Sequence, residues 1–436
     1  MFSLYRPHNL HFENINKFIE LDPNLRSLQQ LRYVSHADWW RDMPLDKPGI
    51  YILTGGRQIG KSTSCKLLMQ HCLETKRFAP TQILYLPCDE IFDAKELSRI
   101  IRLFLDDIDN SPFLLIIDEI TYVKDWDRTI KALADEGHFQ QGLCLLTGSD
   151  TVILKEATQR FPGRRGTANQ TDFHLYPLTF AEYVQLKNAN KKAGKENNDL
   201  ASLAKAFNDY LQTGGYLRAI NDLAMYNQIL PATQLTFEQW IRGDFLKQGK
   251  HEDILLLVLQ GLLTTGVSQI SYSALTEKIG HISKETCMDY CRLLNRMDIL
   301  IELQAFDQNT LQGFPKKARK LHFTDPFIQR TIAAWLTREG YYKDALSESG
   351  LVEATVASHC HRNCRTYYFK GQGEVDVIQV SGKKVTAIEV KWANQVRPND
   401  LKMLQHFKHA YILTKREMIG NVENIISMPV YQFLVE

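Results

Sequence analysis

Residues 49–62 read Gly-Ile-Tyr-Ile-Leu-Thr-Gly-Gly-Arg-Gln-Ile-Gly-Lys-Ser, an apolar run that ends at Thr54 and opens directly into Gly55-Gly56-Arg57-Gln58-Ile59-Gly60-Lys61-Ser62. That spacing is the P-loop pattern, and its context agrees, because a strand-like run precedes it and a helical stretch, Thr63 to Glu74, follows. Glycines let backbone N–H groups wrap phosphates, and the helix start adds its positive dipole. Lys61 then reaches the β- and γ-phosphates, and the Ser62 hydroxyl can hold magnesium. A glycine-rich structural turn is the alternative, but it does not require a lysine and a hydroxyl at these two places. The stretch predicts an α/β fold around a nucleoside triphosphate site, with ATP and Mg2+ as its ligands and Gly55 through Thr63 as the cradle.

Working outward, the short apolar runs Ile83-Leu84-Tyr85-Leu86, Phe113 to Ile117 and Leu143-Cys144-Leu145-Leu146 alternate with helical segments. Such runs predict a parallel sheet covered on both faces. The run ending at Ile117 delivers Asp118-Glu119 at a strand C-terminus, where open α/β sheets bind ligands. Asp118 is expected to hold the magnesium through water and Glu119 to polarise the attacking water. Thr147-Gly148-Ser149 ends the next run and places hydroxyls where they could position that water, or simply face solvent. Phe161-Pro162-Gly163-Arg164-Arg165-Gly166 follows. Arg164 or Arg165 either stabilises charge on the γ-phosphoryl oxygens, within the chain or across a subunit boundary, or is a surface charge.

The chain has 436 residues, enough for two or three cores, with 44% hydrophobic and 23% charged residues and a net charge of +2. This composition excludes a fibrous or disordered protein and gives no global pull toward nucleic acid. With no long apolar segment and polar residues through Met1 to Leu10, the expected location is the cytoplasm, with no membrane partner. The eight cysteines are scattered and are expected as free thiols in a reducing compartment. Only His359-Cys360-His361-Arg362-Asn363-Cys364 is dense enough to ask about zinc. Its spacing fits no standard finger, so ordinary thiols are the competing reading.

Composition and pattern suggest five segments. Residues 1–48 form a helical extension without a catalytic signature, mostly helical from Leu21 to Met43. Residues 49–180 form the P-loop core and 181–248 a helical lid, broken by an exposed loop from Lys187 to Asp199. Residues 249–340 hold helices closed by a β-hairpin and a linker. In 341–436 the pattern returns to α/β. There Glu374-Val375-Asp376 and Ala387-Ile388-Glu389-Val390-Lys391 lie on strands joined by Ser381-Gly382-Lys383-Lys384. Residues two apart on a strand share a face, so Glu389 and Lys391 project together and a hairpin brings Asp376 alongside. Two carboxylates, Asp376 and Glu389, suit a divalent metal, Lys391 suits activation of a water, and Glu353 upstream is a further acid. An exposed ion pair on a strand face is the other reading. Lys278, Lys284, Arg292, Arg296 and the run Lys316-Lys317-Ala318-Arg319-Lys320 could meet DNA phosphates or be a solvated face.

In order and motif, residues 48–395 resemble a family of prokaryotic AAA+ ATPases that carry a winged helix and a C-terminal restriction-endonuclease-like domain. The resemblance rests on the form of the P-loop, Asp118-Glu119, Leu146-Thr147-Gly148-Ser149, and Gly163-Arg164 followed by Leu175-Tyr176-Pro177-Leu178-Thr179-Phe180. It implies a P-loop AAA+ core with a helical lid, a winged-helix module at 249–340 and a PD-(D/E)XK domain in which Asp376, Glu389 and Lys391 match the nuclease core. Where the family has Gly-Gly-x-Pro in the lid, this chain has Gly214-Gly215-Tyr216-Leu217, and leucine replaces the proline that the lid's adenine contact uses. Arg218 then either reaches the phosphates as a second sensor or is an exposed surface residue. The implied function is an ATPase coupled to a nuclease-like domain acting on DNA. The alternative is a nucleotide-driven switch that assembles with protein partners or copies of itself and never cuts.

Overall fold

The computed structural model describes residues 5–35, 38–109, 111–148, 154, 161, 163–189, 199–393, 396–397, 401–416 and 424–436. Ser149, Pro162 and residues 190–198 of the expected lid loop lie outside them. The chain forms two compact units, Met1–Tyr176 and Pro177–Glu436.

The first unit is built on five parallel strands, β1 (Gly49–Gly55), β2 (Ile83–Pro87), β3 (Leu114–Asp118), β4 (Leu143–Thr147) and β5 (Asp172–Leu175), in the order β2-β3-β4-β1-β5. The first four strands are buried along their whole length, as continuous apolar runs require. Alternation splits each strand between two cores. Ile50, Ile52, Leu115, Ile117, Cys144 and Leu146 pack under the helices Ala94–Asp107 and Trp126–Asp135. Tyr51, Leu53, Leu114, Ile116, Leu143 and Leu145 pack under the helix Lys61–Glu74 and the N-terminal segment. The helix Ala94–Asp107 buries Leu97, Ile100, Ile101, Phe104 and Leu105 at helical spacing, and Asp93 caps it by accepting from the N–H groups of Lys95 and Glu96.

The N-terminal extension is helical at Ile15–Leu21 and Pro23–Leu28, whereas residues 29–35 form no helix, contrary to the helical reading of Leu21 to Met43. It is bound to the sheet through side chains. Asn9 Nδ2 donates to Tyr85 O at 2.9 Å, Asn9 Oδ1 accepts from Tyr85 N at 2.8 Å, and the His11 ring lies 2.9 Å from Ile83 O. One amide thus occupies the backbone positions that a neighbouring strand would fill along β2.

The second unit begins with the helices Phe180–Ala189, Leu200–Thr213, Leu217–Tyr226 and Pro231–Lys247. Lys187 is not in a loop as expected. It lies in the last turn of the first helix and pairs with Asp209 at 2.8 Å. Helices Glu252–Thr265, Tyr272–Ile279 and Lys284–Arg296 then lead into the hairpin of β6 (Leu300–Asp307) and β7 (Gln312–Phe323), followed by helices Pro326–Arg338 and Glu348–Asn363. Strands β8 (Arg365–Lys370), β9 (Glu374–Ser381), β10 (Lys384–Lys391), β11 (His409–Thr414) and β12 (Ile425–Pro429) complete a mixed sheet in the order β12-β11-β10-β9-β8-β6-β7. The β6–β7 hairpin is therefore continuous with the C-terminal strands, joined where Ala305 pairs with Tyr368. β9 and β10 form the expected antiparallel hairpin, with Lys384 opposite Ser381.

Candidate functional site

In the first unit β1 turns into its helix through Gly60, whose φ of +93° is open to glycine, while Gln58 also takes a positive φ. At Gly55 a Cβ would sit 2.4 Å from Leu175 O, so no side chain fits where the loop leaves the sheet. Lys61, only 5% exposed, donates to the carbonyls of Gly55 at 3.0 Å and Gly56 at 2.9 Å and lies 3.6 Å from Glu119 Oε1. Burial pulls its pKa down, and the Glu119 and Asp118 carboxylates oppose that shift.

Asp118 sits at the end of β3, buried, and receives three hydroxyls. Ser62 Oγ donates to its Oδ2 at 2.6 Å, Tyr85 OH donates to the same oxygen, and Thr147 Oγ1 donates to Oδ1. Glu119 takes a left-handed backbone, φ +53°, and its N–H donates to Thr147 Oγ1 at 3.0 Å. Thr147 thus links both acids, which accounts for the hydroxyl that the sequence put at the end of β4. The structure brings together Lys61, Ser62, Asp118, Glu119 and Thr147, all at the C-terminal edge of the sheet. A buried carboxylate within hydrogen-bond reach of the Ser62 hydroxyl is a donor set that fits Mg2+.

Tyr85 escaped the sequence reading because an aromatic in an apolar strand reads as core. Behind it stands Lys66, fully buried, with its Nζ 3.6 Å from the Tyr85 ring centroid, 3.2 Å from Asp22 Oδ2 and 2.6 Å from His8 O. The buried lysine and Asp118 flank the same tyrosine, so burial together with Asp118 drives the phenol's pKa well above its ordinary value.

The arginines are placed otherwise than expected. Arg164 pairs with Asp135, and Arg165 with Asp172 at 2.8 Å, while the backbone of Arg165 passes over Gly49 so closely that a Cβ there would lie 2.4 Å from Arg165 O. Gly49 begins β1 and Gly55 ends it. At ~3.3 Å per residue the Arg165 backbone stands about 20 Å from its own P-loop. The reading in which Arg165 stabilises the γ-phosphoryl group within its own chain is thereby corrected, and Arg164, the residue directly before it in sequence, pairs with Asp135 and is drawn to the same edge.

In the second unit, Gly214 and Gly215 have a structural partner. A Cβ on Gly214, φ +52°, would lie 1.8 Å from Asp325 Oδ1, and one on Gly215 would lie 2.1 Å from Leu178 O. Asp325 accepts from Gly215 N at 2.9 Å and Phe327 N at 2.8 Å, capping the helix Pro326–Arg338, and burial raises its pKa to about 6 against those bonds. Arg218 is exposed on the helix that follows. Lys278, Lys284, Arg292 and Arg296 are also exposed, the last three on one face of the helix Lys284–Arg296. The basic run is divided. Lys316 and Lys317 are exposed, Arg319 pairs with Glu302 at 2.8 Å, and Lys320 is 1% exposed, so its assignment to a solvated or DNA-facing patch is corrected.

Lys320 lies among the C-terminal carboxylates. Its Nζ is 2.8 Å from Glu353 Oε1, 2.9 Å from Glu374 Oε1 and 3.0 Å from Asp376 Oδ1. Asp376 Oδ2 accepts from Val390 N at 3.0 Å, Glu389 Oε2 accepts from Asp376 N at 3.3 Å, and Lys391 Nζ lies 2.8 Å from Glu389 Oε1. The fold gathers Asp376, Glu389, Lys391 and Glu353 as read from the sequence, and adds a lysine that was not. Burial disfavours the Lys320 charge, but Asp376, Glu353 and Glu374 outweigh it and raise the pKa well above the lysine range. Burial lifts Glu353 to about 8 and Glu389 to about 7, in each case reinforced by the Asp376 charge.

The cysteine-histidine segment does not gather. His359 bonds Thr355 O at 2.8 Å through one ring nitrogen and accepts from Phe180 N at 2.9 Å through the other, Cys360 is buried with its thiol pushed up to about 12, and His361 is exposed. Among the described residues no three His, Cys, Asp or Glu side chains are grouped so as to hold a metal ion.

Residues 47–184 match the family of the AAA domain, and the first unit's parallel-sheet P-loop core is an AAA-type ATPase core. Residues 204–339 and 344–432 match two domains of unknown function, DUF8612 and DUF4143. The chain is similar to the uncharacterized protein MJ1637 of Methanocaldococcus jannaschii, 24% identical over 424 residues, 89% of this chain and 85% of that one. Among solved structures, it is similar to the Walker-type ATPase PABY2304 of Pyrococcus abyssi, with 13% identity, coverage of 68% of this chain and 95% of that one, and a TM-score of 0.46. The ORC2 protein of Aeropyrum pernix in its ADPNP-ADP complexes has 11% identity, coverage of 74% and 95%, and a TM-score of 0.42. Among the described residues no helix is long and apolar enough to cross a membrane.

Proposed function

We propose that the AAA-type core binds ATP with Mg2+ and hydrolyses it. The observation that carries this is the chain of contacts from Ser62 through Asp118 and Thr147 to Glu119, which links the P-loop to the acid pair. The backbone N–H groups of Gly55 to Ser62 hold the phosphates, and Lys61 exchanges its two carbonyl acceptors for β- and γ-phosphate oxygens. Ser62 and Asp118 are the residues that would hold Mg2+, which when bound neutralises charge on those oxygens. Glu119, aimed by its left-handed backbone and its bond to Thr147, takes a proton from the attacking water. Arg164 or Arg165 serves this site only from a second copy of the chain.

Lys61→Ala is expected to weaken ATP binding by tenfold or more, while Glu119→Gln retains binding and loses turnover. Calorimetry beside phosphate release tests the pair. Undiminished affinity in the first variant together with normal turnover in the second would overturn the site.

For the second unit we read residues 249–340 as a winged helix and linker, with three helices before the hairpin and the helix Pro326–Arg338 after it, and 341–436 as a PD-(D/E)XK-like domain, with Asp376, Glu389 and Lys391 on adjacent strands. The exposed face bearing Lys284, Arg292 and Arg296 suits DNA phosphates. Of the two modes of action, a nucleotide-driven switch without cleavage is favoured over a nuclease by the burial of Lys320 among the acids. A labelled-DNA cleavage assay with Mn2+, with and without ATP, separates them: cut strands establish the nuclease.

A further inference from the structure

The nuclease-like assignment calls for a divalent cation held by Asp376 and Glu389, and the geometry of these side chains does not fit one. Each oxygen of Asp376 and Glu389 already faces a donor and, unlike the neutral hydroxyls on Asp118, one donor on each acid is an ammonium: Lys320 Nζ beside Val390 N on Asp376, and Lys391 Nζ beside Asp376 N on Glu389. An ammonium carries three N–H donors, and Lys320 Nζ has three carboxylate oxygens within 3.0 Å, on Glu353, Glu374 and Asp376. Mg2+ holds its oxygens at about 2.0–2.1 Å in an octahedral shell. An ion on Asp376 Oδ1 would stand within about 5 Å of the Lys320 ammonium, and two cations that close in a buried site repel.

The position of Lys320 is fixed from several sides. Its backbone lies opposite Leu303 in the β6–β7 register, and its aliphatic stem is buried. Glu374, the third acid, is held further by Gln269 Nε2 at 3.1 Å and Lys370 at 3.4 Å. The fully buried Tyr368 donates its hydroxyl to Ala318 O at 2.6 Å, which pins β7 two residues before the lysine.

We propose that Lys320 is a built-in cation that takes the place of the divalent metal in the C-terminal domain, so that the domain binds no Mg2+ or Mn2+ at these acids and cuts no phosphodiester. This rests on the nuclease-like reading of residues 341–436. The lysine joins β7 of the hairpin to the acids of β9 and of the helix Glu348–Asn363, and it converts a catalytic constellation into an internal clamp.

The test is Mn2+ binding to the full nucleotide-free chain by calorimetry and electron paramagnetic resonance. Wild type and Asp376→Asn are expected to bind identically, because no ion sits at Asp376. Lys320→Met, which keeps the length of the side chain and removes the charge, is expected to gain a Mn2+ site at least tenfold tighter than any in the wild type, and adding Asp376→Asn should remove it. If the unpaired acids prevent that variant from folding, Lys320→Met with Glu374→Gln removes one charge of each sign and keeps Glu353, Asp376 and Glu389. Mn2+ bound by the wild type and lost in Asp376→Asn would overturn the proposal while leaving the nuclease-like reading intact. No gain of Mn2+ in any folded lysine variant would overturn it by removing that reading.

Discussion

Asp118 receives hydroxyls from Ser62, Tyr85 and Thr147, and only the first belongs to the glycine-rich loop. A hydrogen bond to a charged group is worth ~1.5–3 kcal/mol, about tenfold or more in rate when it orients a group used in turnover. Tyr85→Phe is therefore expected to lower ATP turnover about tenfold and raise the Mg2+ concentration needed for half-maximal rate, with little change in the fold. Steady-state kinetics across a Mg2+ series checks it, and an unchanged Mg2+ requirement would remove Tyr85 from the site. The P-loop and its acids were legible because their chemistry is written in local spacing. Tyr85 was not, because its role depends on β2 lying beside β3. Lys320 was misread for a related reason: in a run of five residues with four basic ones, only the strand register and the overlying helix distinguish the buried member from its solvated neighbours.

Among the elements, the junction of Gly214-Gly215 with the helix Pro326–Arg338 has the least room. Gly214→Ala would place a methyl 1.8 Å from Asp325 Oδ1 in a left-handed backbone, so a loss of roughly 2 kcal/mol or more is expected. Asp325→Ala removes a cap and leaves the Gly215 and Phe327 N–H groups without acceptors, at a cost of about 2–3 kcal/mol. Urea unfolding of both variants measures this, and near-wild-type stability of Gly214→Ala would mean the junction yields. The sequence marked these glycines through family resemblance to a lid, yet the spatial reason for them lies more than a hundred residues away in Asp325. The arginine segment makes a different prediction. Arg164→Ala with Arg165→Ala should reduce turnover only at protein concentrations where copies associate, and an equal loss at every dilution would restore a role within the chain.

For the molecule, pH dependence in the second unit has two opposing sources. Burial holds His322 and His359 down to about 3, so the unfolded chain takes up protons from about pH 6.5 while the folded one does not. Their stabilisation is complete above that pH and is lost as the pH falls toward 3, at up to ~1.4 kcal/mol per unit for each. Asp325 at about 6, Glu389 at about 7 and Glu353 at about 8 run the other way: their raised values favour the folded state at low pH and lose that advantage as the pH rises through each. Maximal stability is therefore expected in mildly acid solution, with a decline on both sides, and urea unfolding of the full chain across a buffer series checks it. A stability rising steadily to pH 8 would contradict the raised carboxyls. The alternating strands and helices made most of the architecture legible, whereas the continuity of the β6–β7 hairpin with the C-terminal sheet depends on a single long-range pairing that no local pattern announces. Asn9, finally, bears on solubility. β2 is the outer strand of its sheet, and an unpaired strand edge is a template for aggregation. By filling the backbone groups of Tyr85, Asn9 guards that edge with His11, so a chain shortened beyond Phe12 should self-associate as its concentration rises even where its nucleotide site is intact.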